Sequence, residues 1–228
     1  MANLNLIGKL YIIATPIGNY DDITLRAIKT LREVDVIICE EPRQATTLLK
    51  KLDITIKQLV SLNEHNESEQ AGQIIQAMFM GQNMALISDC GTPVFSDPGA
   101  VLIKTCVDNG IQVVPIPGTS SLMAALSILD FKIENFYFAG FLPRESQQRK
   151  NELYKLKAIK SPIVLMDTPY RLVKLLEELE VAFGKGCQVT LTCDLTLPSE
   201  SIFRGRLDAI RKKVGTRKAE FMLIIHNR

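Results

Sequence analysis

Tryptophan is absent from the sequence, and histidine occurs only twice, at His65 and His226, far apart in the chain. The five cysteines, Cys39, Cys90, Cys106, Cys187 and Cys193, form no C-x-x-C pair, and their odd number leaves no complete disulfide framework. With imidazole and thiolate ligands this sparse, no metal centre is expected, and cysteines set in apolar runs read as buried thiols of a reducing compartment. No apolar run approaches the ~20 residues a membrane-spanning helix needs. The first eight residues show neither the basic patch nor the apolar run of a secretory leader. A cytoplasmic protein with no membrane partner is the expectation. Charge of one sign is lacking too: 27 Lys and Arg face 25 Asp and Glu, a net +2. That surplus is too mild to announce nucleic-acid binding through a basic stripe, although it permits it.

What is present is core. Of 228 residues, 46% are hydrophobic, enough to bury roughly 70% of the unfolded surface. Short β-branched runs at Leu10–Ala14, Asp35–Cys39, Met84–Ser88 and Ile111–Ile116 alternate with stretches of helical periodicity. Asp22 can cap a helix that carries Ile23, Ala27, Ile28 and Leu31 on one face, and Glu67–Met80 and Ala100–Val107 read as helices too. Such alternation predicts a mostly parallel sheet with helices on both faces. A second set follows: strands Phe136–Ala139 and Pro162–Met166, each leading into a helix, then three candidate strands at Gln188–Cys193, Ser201–Arg204 and Glu220–His226 with one short helix among them. This second unit should have a mixed or antiparallel edge. Pro115, Pro117 and Gly118 punctuate the chain between the sets, so the expected fold class is α/β in two domains, 1–116 and 117–228.

Ligands of open α/β sheets bind where strands end and loops begin, and three loops there carry suitable chemistry. Thr15–Asn19 follows the first strand with Pro16 fixing a turn and Gly18 allowing close backbone approach; it is neither a G-x-G-x-x-G nor a Walker A loop. Ser88–Gly99 packs two Asp, two Pro, two Gly and the hydroxyls of Ser88, Thr92 and Ser96 into one connection, well beyond the ~4–6 residues a plain link needs. Pro117–Ala125 combines a turn with a helix start that Thr119 or Ser120 can cap. Its small residues would let a flat ring lie against the helix.

These loops, with Tyr11–Asp22, Cys39–Leu49, His65–Glu67, Val114–Ser121, Gly140–Pro143, Asp167–Leu172 and Lys218–Ile224, resemble one family along nearly the whole chain. The sequence is similar to the tetrapyrrole (class III) methylases, and within them to the branch that methylates a ribose 2′-hydroxyl of 16S ribosomal RNA. The resemblance implies a two-domain fold with S-adenosyl-L-methionine in the interdomain cleft, a homodimer, and ribosomal RNA or the small ribosomal subunit as partner. It assigns Ile17, Thr92 and Phe95 to the donor pocket, Ser120 and Ser121 to the domain junction, and Met166 and Asp194 to the second domain's side; Asp89, Ser96, Asp97, Pro117 and Gly118 belong to the same motifs. The chain departs from that branch at Glu40–Arg43, Asp167–Arg171 and Cys193–Leu197, and lacks the short helical tail that commonly follows the last shared strand. These changes fall on the acceptor side more than on the donor side.

Methyl transfer from a sulfonium is an in-line displacement with an excellent leaving group, so alignment is the protein's main task. A ribose hydroxyl still benefits from a base. Glu40, Glu41 and Glu220 are candidates, with Arg43 or Lys218 to hold a phosphate. Glu41 and Arg43 are preferred as catalytic residues because they follow the second strand, although a helix-start ion pair would account for them as well. His65 can touch substrate or simply lie at a helix cap, and Asp167 reads as structural. Phosphate contacts are expected from Arg43, Arg144, Arg149, Lys150, Arg171, Arg211–Lys213, Arg217 and Lys218. The alternatives are a methylase acting on a small molecule or tetrapyrrole, and a non-catalytic S-adenosylmethionine-binding module associated with RNA.

Overall fold

The structure, a computed structural model, describes residues 7–55, 57–94 and 97–227. The chain forms two compact units, Met1–Ser120 and Ser121–Arg228.

The first unit alternates strand and helix: β1 (Leu10–Ile13), α1 (Leu25–Glu33), β2 (Val36–Cys39), α2 (Pro42–Lys51), β3 (Gln58–Ser61), α3 (Glu67–Phe79), β4 (Met84–Ile87), α4 (Ala100–Asp108) and β5 (Val113–Ile116). The strands form one parallel sheet in the order β3-β2-β4-β1-β5. Both faces of this sheet are covered, which is why β2 and β4 are apolar at every position. Along β2, Val36 and Ile38 pack with Ile74, Met78 and Leu102 of α3 and α4, while Ile37 and Cys39 pack with Leu31, Leu48 and Leu49 of α1 and α2. Each such side chain contributes about 1.5–3 kcal/mol by leaving water.

The second unit contains α5 (Ser121–Ser127), β6 (Tyr137–Gly140), α6 (Ser146–Lys157), β7 (Ile163–Asp167), α7 (Leu172–Phe183), β8 (Gln188–Cys193), β9 (Ser201–Arg206), α8 (Leu207–Val214) and β10 (Phe221–Ile225). Its sheet runs β6-β7-β10-β8-β9, parallel between β6 and β7 and antiparallel elsewhere. Helices α6, α7 and α8 bury one face through Leu153, Leu176 and Ile210, and α5 covers the other through Ala125 and Leu126.

Four features differ from the sequence reading. Strand β3 was not anticipated, because Gln58–Ser61 is a four-residue edge strand without a buried position. The cap of α1 is Thr24, whose hydroxyl accepts the Ala27 N–H, and not Asp22. Residues 117–120 fall with the first unit, since Thr119 bonds back to loops of that unit. Cys39, Cys106 and Cys193 are buried thiols, but Cys90 is exposed and Cys187 half-buried.

Candidate active site

The carboxyl ends of β1, β4 and β5 lie side by side in the first sheet, so the three loops that leave them start as neighbours. Hydrogen bonds then lace them together. The Thr15 N–H donates to the Gly91 carbonyl at 2.8 Å and the Gly91 N–H returns to the Thr15 carbonyl at 3.2 Å, an isolated antiparallel bridge. The buried Thr15 hydroxyl donates to the Ser88 carbonyl at 3.0 Å. The Thr119 hydroxyl donates to the Thr15 carbonyl, and the Thr92 hydroxyl donates to the Thr119 carbonyl at 3.0 Å. The stretches around Gly91 and Gly118 thus meet. Side-chain-free backbone is needed at both: Gly91 has φ +84° and a Cβ there would stand 3.3 Å from Ile17 Cγ2, while one on Gly118 would stand 3.0 Å from the Ala14 Cβ. Thr119 therefore ties loops together instead of capping α5.

Beside this lacing opens a cavity of about 160 Å³, lined by Thr15, Pro16, Ile17, Gly18, Ser88 and Asp89, with Gln44, Ala45 and Leu48 of α2 as its far wall. Carboxylates gather at the same edge. Asp97 accepts the Ser88 hydroxyl at 2.6 Å, and burial raises its pKa above the ordinary value. Asp89 accepts the Glu41 N–H at 3.4 Å; burial raises its pKa, and the charges of Glu41 and Asp97 add to the rise. Glu40 is raised by burial first, then by Asp89, Asp97 and Glu64. A patch in which carboxylates are held partly out of water and next to one another attracts a cation.

Glu41 serves as the N-cap of α2: its carboxylate accepts the Arg43 N–H at 3.0 Å, while the Arg43 side chain is exposed. Pro117 and Gly118 are exposed, and Ser120 and Ser121 half-buried. Phe95 and Ser96 lie outside the described residues. Met166, near the end of β7, packs against the cluster of Val164, Met222 and Ile224. Asp194 follows β8 at φ +51° and is fully engaged: it accepts Arg217 Nη2 at 2.7 Å and the Glu220 N–H at 3.1 Å. Burial, with the Asp194 charge behind it, raises the pKa of Glu220. His65 is exposed beside Glu64.

Several basic residues assigned to phosphate by the sequence have carboxylate partners within the chain, and one of them, Arg149, is buried. Arg149 is buried and grips Glu178 with two bonds of 2.5 and 2.8 Å. Arg171 lies 3.1 Å from the buried Asp167, Arg211 bonds Glu180, and Arg217 bonds Asp194. Arg43, Arg144, Lys150, Lys212, Lys213 and Lys218 remain exposed. Sequence reasoning also missed Glu67. Its buried carboxylate accepts the N–H groups of Gly99, Val101 and Leu102 at 3.0, 2.8 and 3.0 Å, capping α4 where the long loop ends. Among the described residues no cluster of three or more His, Cys, Asp or Glu is arranged to hold a metal ion.

Residues 9–211 match the model of the tetrapyrrole (corrin/porphyrin) methylases. A ribosomal RNA small subunit methyltransferase I of Halalkalibacterium halodurans is 40% identical over 96% of this chain and 75% of its own length. The protein of that name from Leptospira biflexa is 36% identical over 97% of this chain and 92% of its own. Among solved structures, uroporphyrin-III C-methyltransferase of Thermus thermophilus complexed with S-adenyl homocysteine superposes with a TM-score of 0.66 at 16% identity, over 96% of this chain and 97% of that one. The chain belongs to the tetrapyrrole methylase family, in the group formed by the ribosomal RNA small subunit methyltransferases I.

Proposed function

We propose that this protein transfers a methyl group from S-adenosyl-L-methionine to a ribose 2′-hydroxyl of 16S ribosomal RNA. The carrying observation is the set of three loops laced through Thr15, Gly91, Thr92 and Thr119 beside a patch of burial-raised carboxylates. The donor is a small cationic nucleoside, and the patch suits it: an ammonium or sulfonium relieves the repulsion among Asp89, Asp97 and Glu40. When bound it supplies a methyl group on positively charged sulfur, so that no covalent enzyme intermediate is required.

The chain's own residues supply placement. Ile17 and the backbone at Pro117 and Gly118 offer an apolar wall and unblocked peptide groups, and Ser120 adds a hydroxyl. Asp89 and Asp97 accept hydrogen bonds from the amino and hydroxyl groups of the donor. With the donor bound, its methyl carbon would pass to the ribose oxygen while the carbon–sulfur electron pair would stay on sulfur. The hydroxyl proton passes to the Glu41 carboxylate at the start of α2, where the exposed Arg43 holds a neighbouring phosphate. In the same reading the protein works as a homodimer in the cytoplasm.

Calorimetric titration with S-adenosylmethionine and its demethylated product tests donor binding, and labelled-methyl transfer to 16S transcripts and small ribosomal subunits tests the acceptor. Binding together with transfer is expected; binding without transfer overturns the RNA reading, and absence of binding overturns the enzyme. Thr92→Trp should abolish donor binding, because the bulk lands where Thr92 meets residue 119. Unchanged affinity would place the pocket elsewhere.

A further inference from the structure

Outside the donor loops, the second unit invests heavily in fixing one short segment, residues 141–144 after β6. Two guanidiniums from different elements hold its backbone carbonyls: Arg149 Nη1 donates to Pro143 at 3.1 Å and Arg144 at 2.8 Å, and Arg171 Nη2 donates to Leu142 and Pro143, both at 3.1 Å. Each is itself backed by a buried carboxylate, Glu178 behind Arg149 and Asp167 behind Arg171. Buried ion pairs of this kind add little net stability compared with apolar packing, so a fixed geometry is what they deliver. On that segment Phe141 is 46% exposed, and Arg144, three positions on, is exposed too. The residue before Arg171 is Tyr170, 77% exposed, with Lys218 Nζ 5.0 Å from its ring centroid. Glu145, which follows Arg144 in the chain and caps α6, is turned to that helix, where it accepts the Gln147 and Gln148 N–H groups.

Exposed rings interleaved with cations on a rigid backbone are what single-stranded nucleic acid requires: a π-face for each base and a charge for each phosphate. We propose that Phe141, Arg144, Tyr170 and Lys218 form a platform for a single-stranded segment of the RNA acceptor, the rings stacking on bases and the two cations meeting phosphates. The proposal rests on the RNA reading given above and names where the acceptor is gripped. Arg149 and Arg171 are positioning residues for it, since their guanidiniums bond the 142–144 carbonyls and the carboxylates of Glu178 and Asp167 and act through that segment.

The test uses the intact protein with a 16S transcript as probe, measuring transcript affinity against salt, steady-state methyl transfer, and S-adenosylmethionine affinity by calorimetry. Phe141→Ala and Tyr170→Ala should each weaken transcript binding roughly five- to hundred-fold and raise KM for RNA, with kcat and donor affinity unchanged. Tyr170→Phe should keep wild-type binding, because the ring and not the hydroxyl stacks. Lys218→Ala should lower the salt slope by about one phosphate contact. Unchanged transcript affinity in the Phe141→Ala/Tyr170→Ala double variant overturns the platform while wild-type transfer keeps the RNA reading standing. Equal losses in Tyr170→Phe and Tyr170→Ala also overturn it. A shift in sedimentation in place of RNA affinity would assign the face to a second copy of the chain. Failure of the wild type to methylate either transcript or small subunits would remove the RNA reading itself.

Discussion

At the scale of single residues, Gly91 couples backbone conformation to the laced loops proposed to hold the donor. Its φ of +84° is a left-handed value, and an added Cβ would press on Ile17 Cγ2 at 3.3 Å. Gly91→Ala should therefore cost about 1–2 kcal/mol from the disfavoured conformation alone and displace Ile17. The expected result is a modest loss of thermal stability with a larger loss of donor affinity, measured by calorimetry on the folded protein; a loss of stability with affinity intact would detach Ile17 from the pocket. Asp89, Asp97 and Glu40 supply a second prediction. Their pKa values are raised, chiefly by burial, so they lose charge at a higher pH than ordinary carboxylates do. A cationic donor favours the ionised forms, so its affinity should fall as pH drops toward the ordinary carboxylate range, the fall setting in above the pH at which ordinary carboxylates protonate. Asp97→Asn should weaken binding at neutral pH and flatten that dependence. An affinity independent of pH would show that these carboxylates do not face the donor.

At the scale of elements, the strands that were legible in the sequence are those buried on both faces, such as Val36–Cys39 and Met84–Ile87, where unbroken apolar runs allow no other placement. The edge strand Gln58–Ser61 was not legible, because a half-exposed edge carries no such run. The three loops that meet at Thr15, Gly91 and Thr119 were legible as irregular, ligand-sized connections for their excess of Gly, Pro, Asp and hydroxyls. The threonine lacing was not, since the Thr119 hydroxyl meets Thr15 across 104 positions of sequence. The phosphate assignment failed at buried Arg149 for the same reason, since only the fold brings Glu178 to it across 29 positions; Arg171 meets Asp167 only four positions back in the chain. Glu67 is the clearest case. In sequence it starts α3, yet its carboxylate caps α4, more than thirty positions away. Hydrogen bonds to a charged acceptor are worth about 1.5–3 kcal/mol each when their loss leaves buried donors unpaired. Glu67→Ala should thus destabilise the protein by several kcal/mol, speed amide exchange at Gly99, Val101 and Leu102, and loosen the 88–99 loop enough to lower donor affinity. Glu67→Gln, which keeps an acceptor oxygen, should lose less. Unaltered exchange at those three amides in Glu67→Ala would remove the cap from the argument.

At the scale of the whole molecule, the two units have separate apolar clusters on separate sheets, and units with their own cores can unfold at their own temperatures. Scanning calorimetry should then show two transitions, and substitutions can assign them. Arg149→Ala leaves Glu178 as an uncompensated buried charge in the second unit, a loss of about 3–5 kcal/mol, and should lower one transition selectively. In the first unit, Gly8→Ala would place a Cβ 1.8 Å from the Gln82 carbonyl oxygen, far inside any tolerable contact, and should lower the other. With the transitions assigned, mass action gives the sign and size of the donor effect. S-adenosylhomocysteine at a hundred times its Kd adds about 2.7 kcal/mol to whatever folded unit binds it. The first-unit transition should rise on its addition, and Thr92→Trp should cancel the rise while leaving the second-unit transition of the free protein where it was. A single cooperative transition, moved equally by Arg149→Ala and Gly8→Ala, would mean that the two sheets unfold as one body. A first-unit transition indifferent to the ligand would mean that the laced loops of Thr15, Gly91 and Thr119 do not hold the donor.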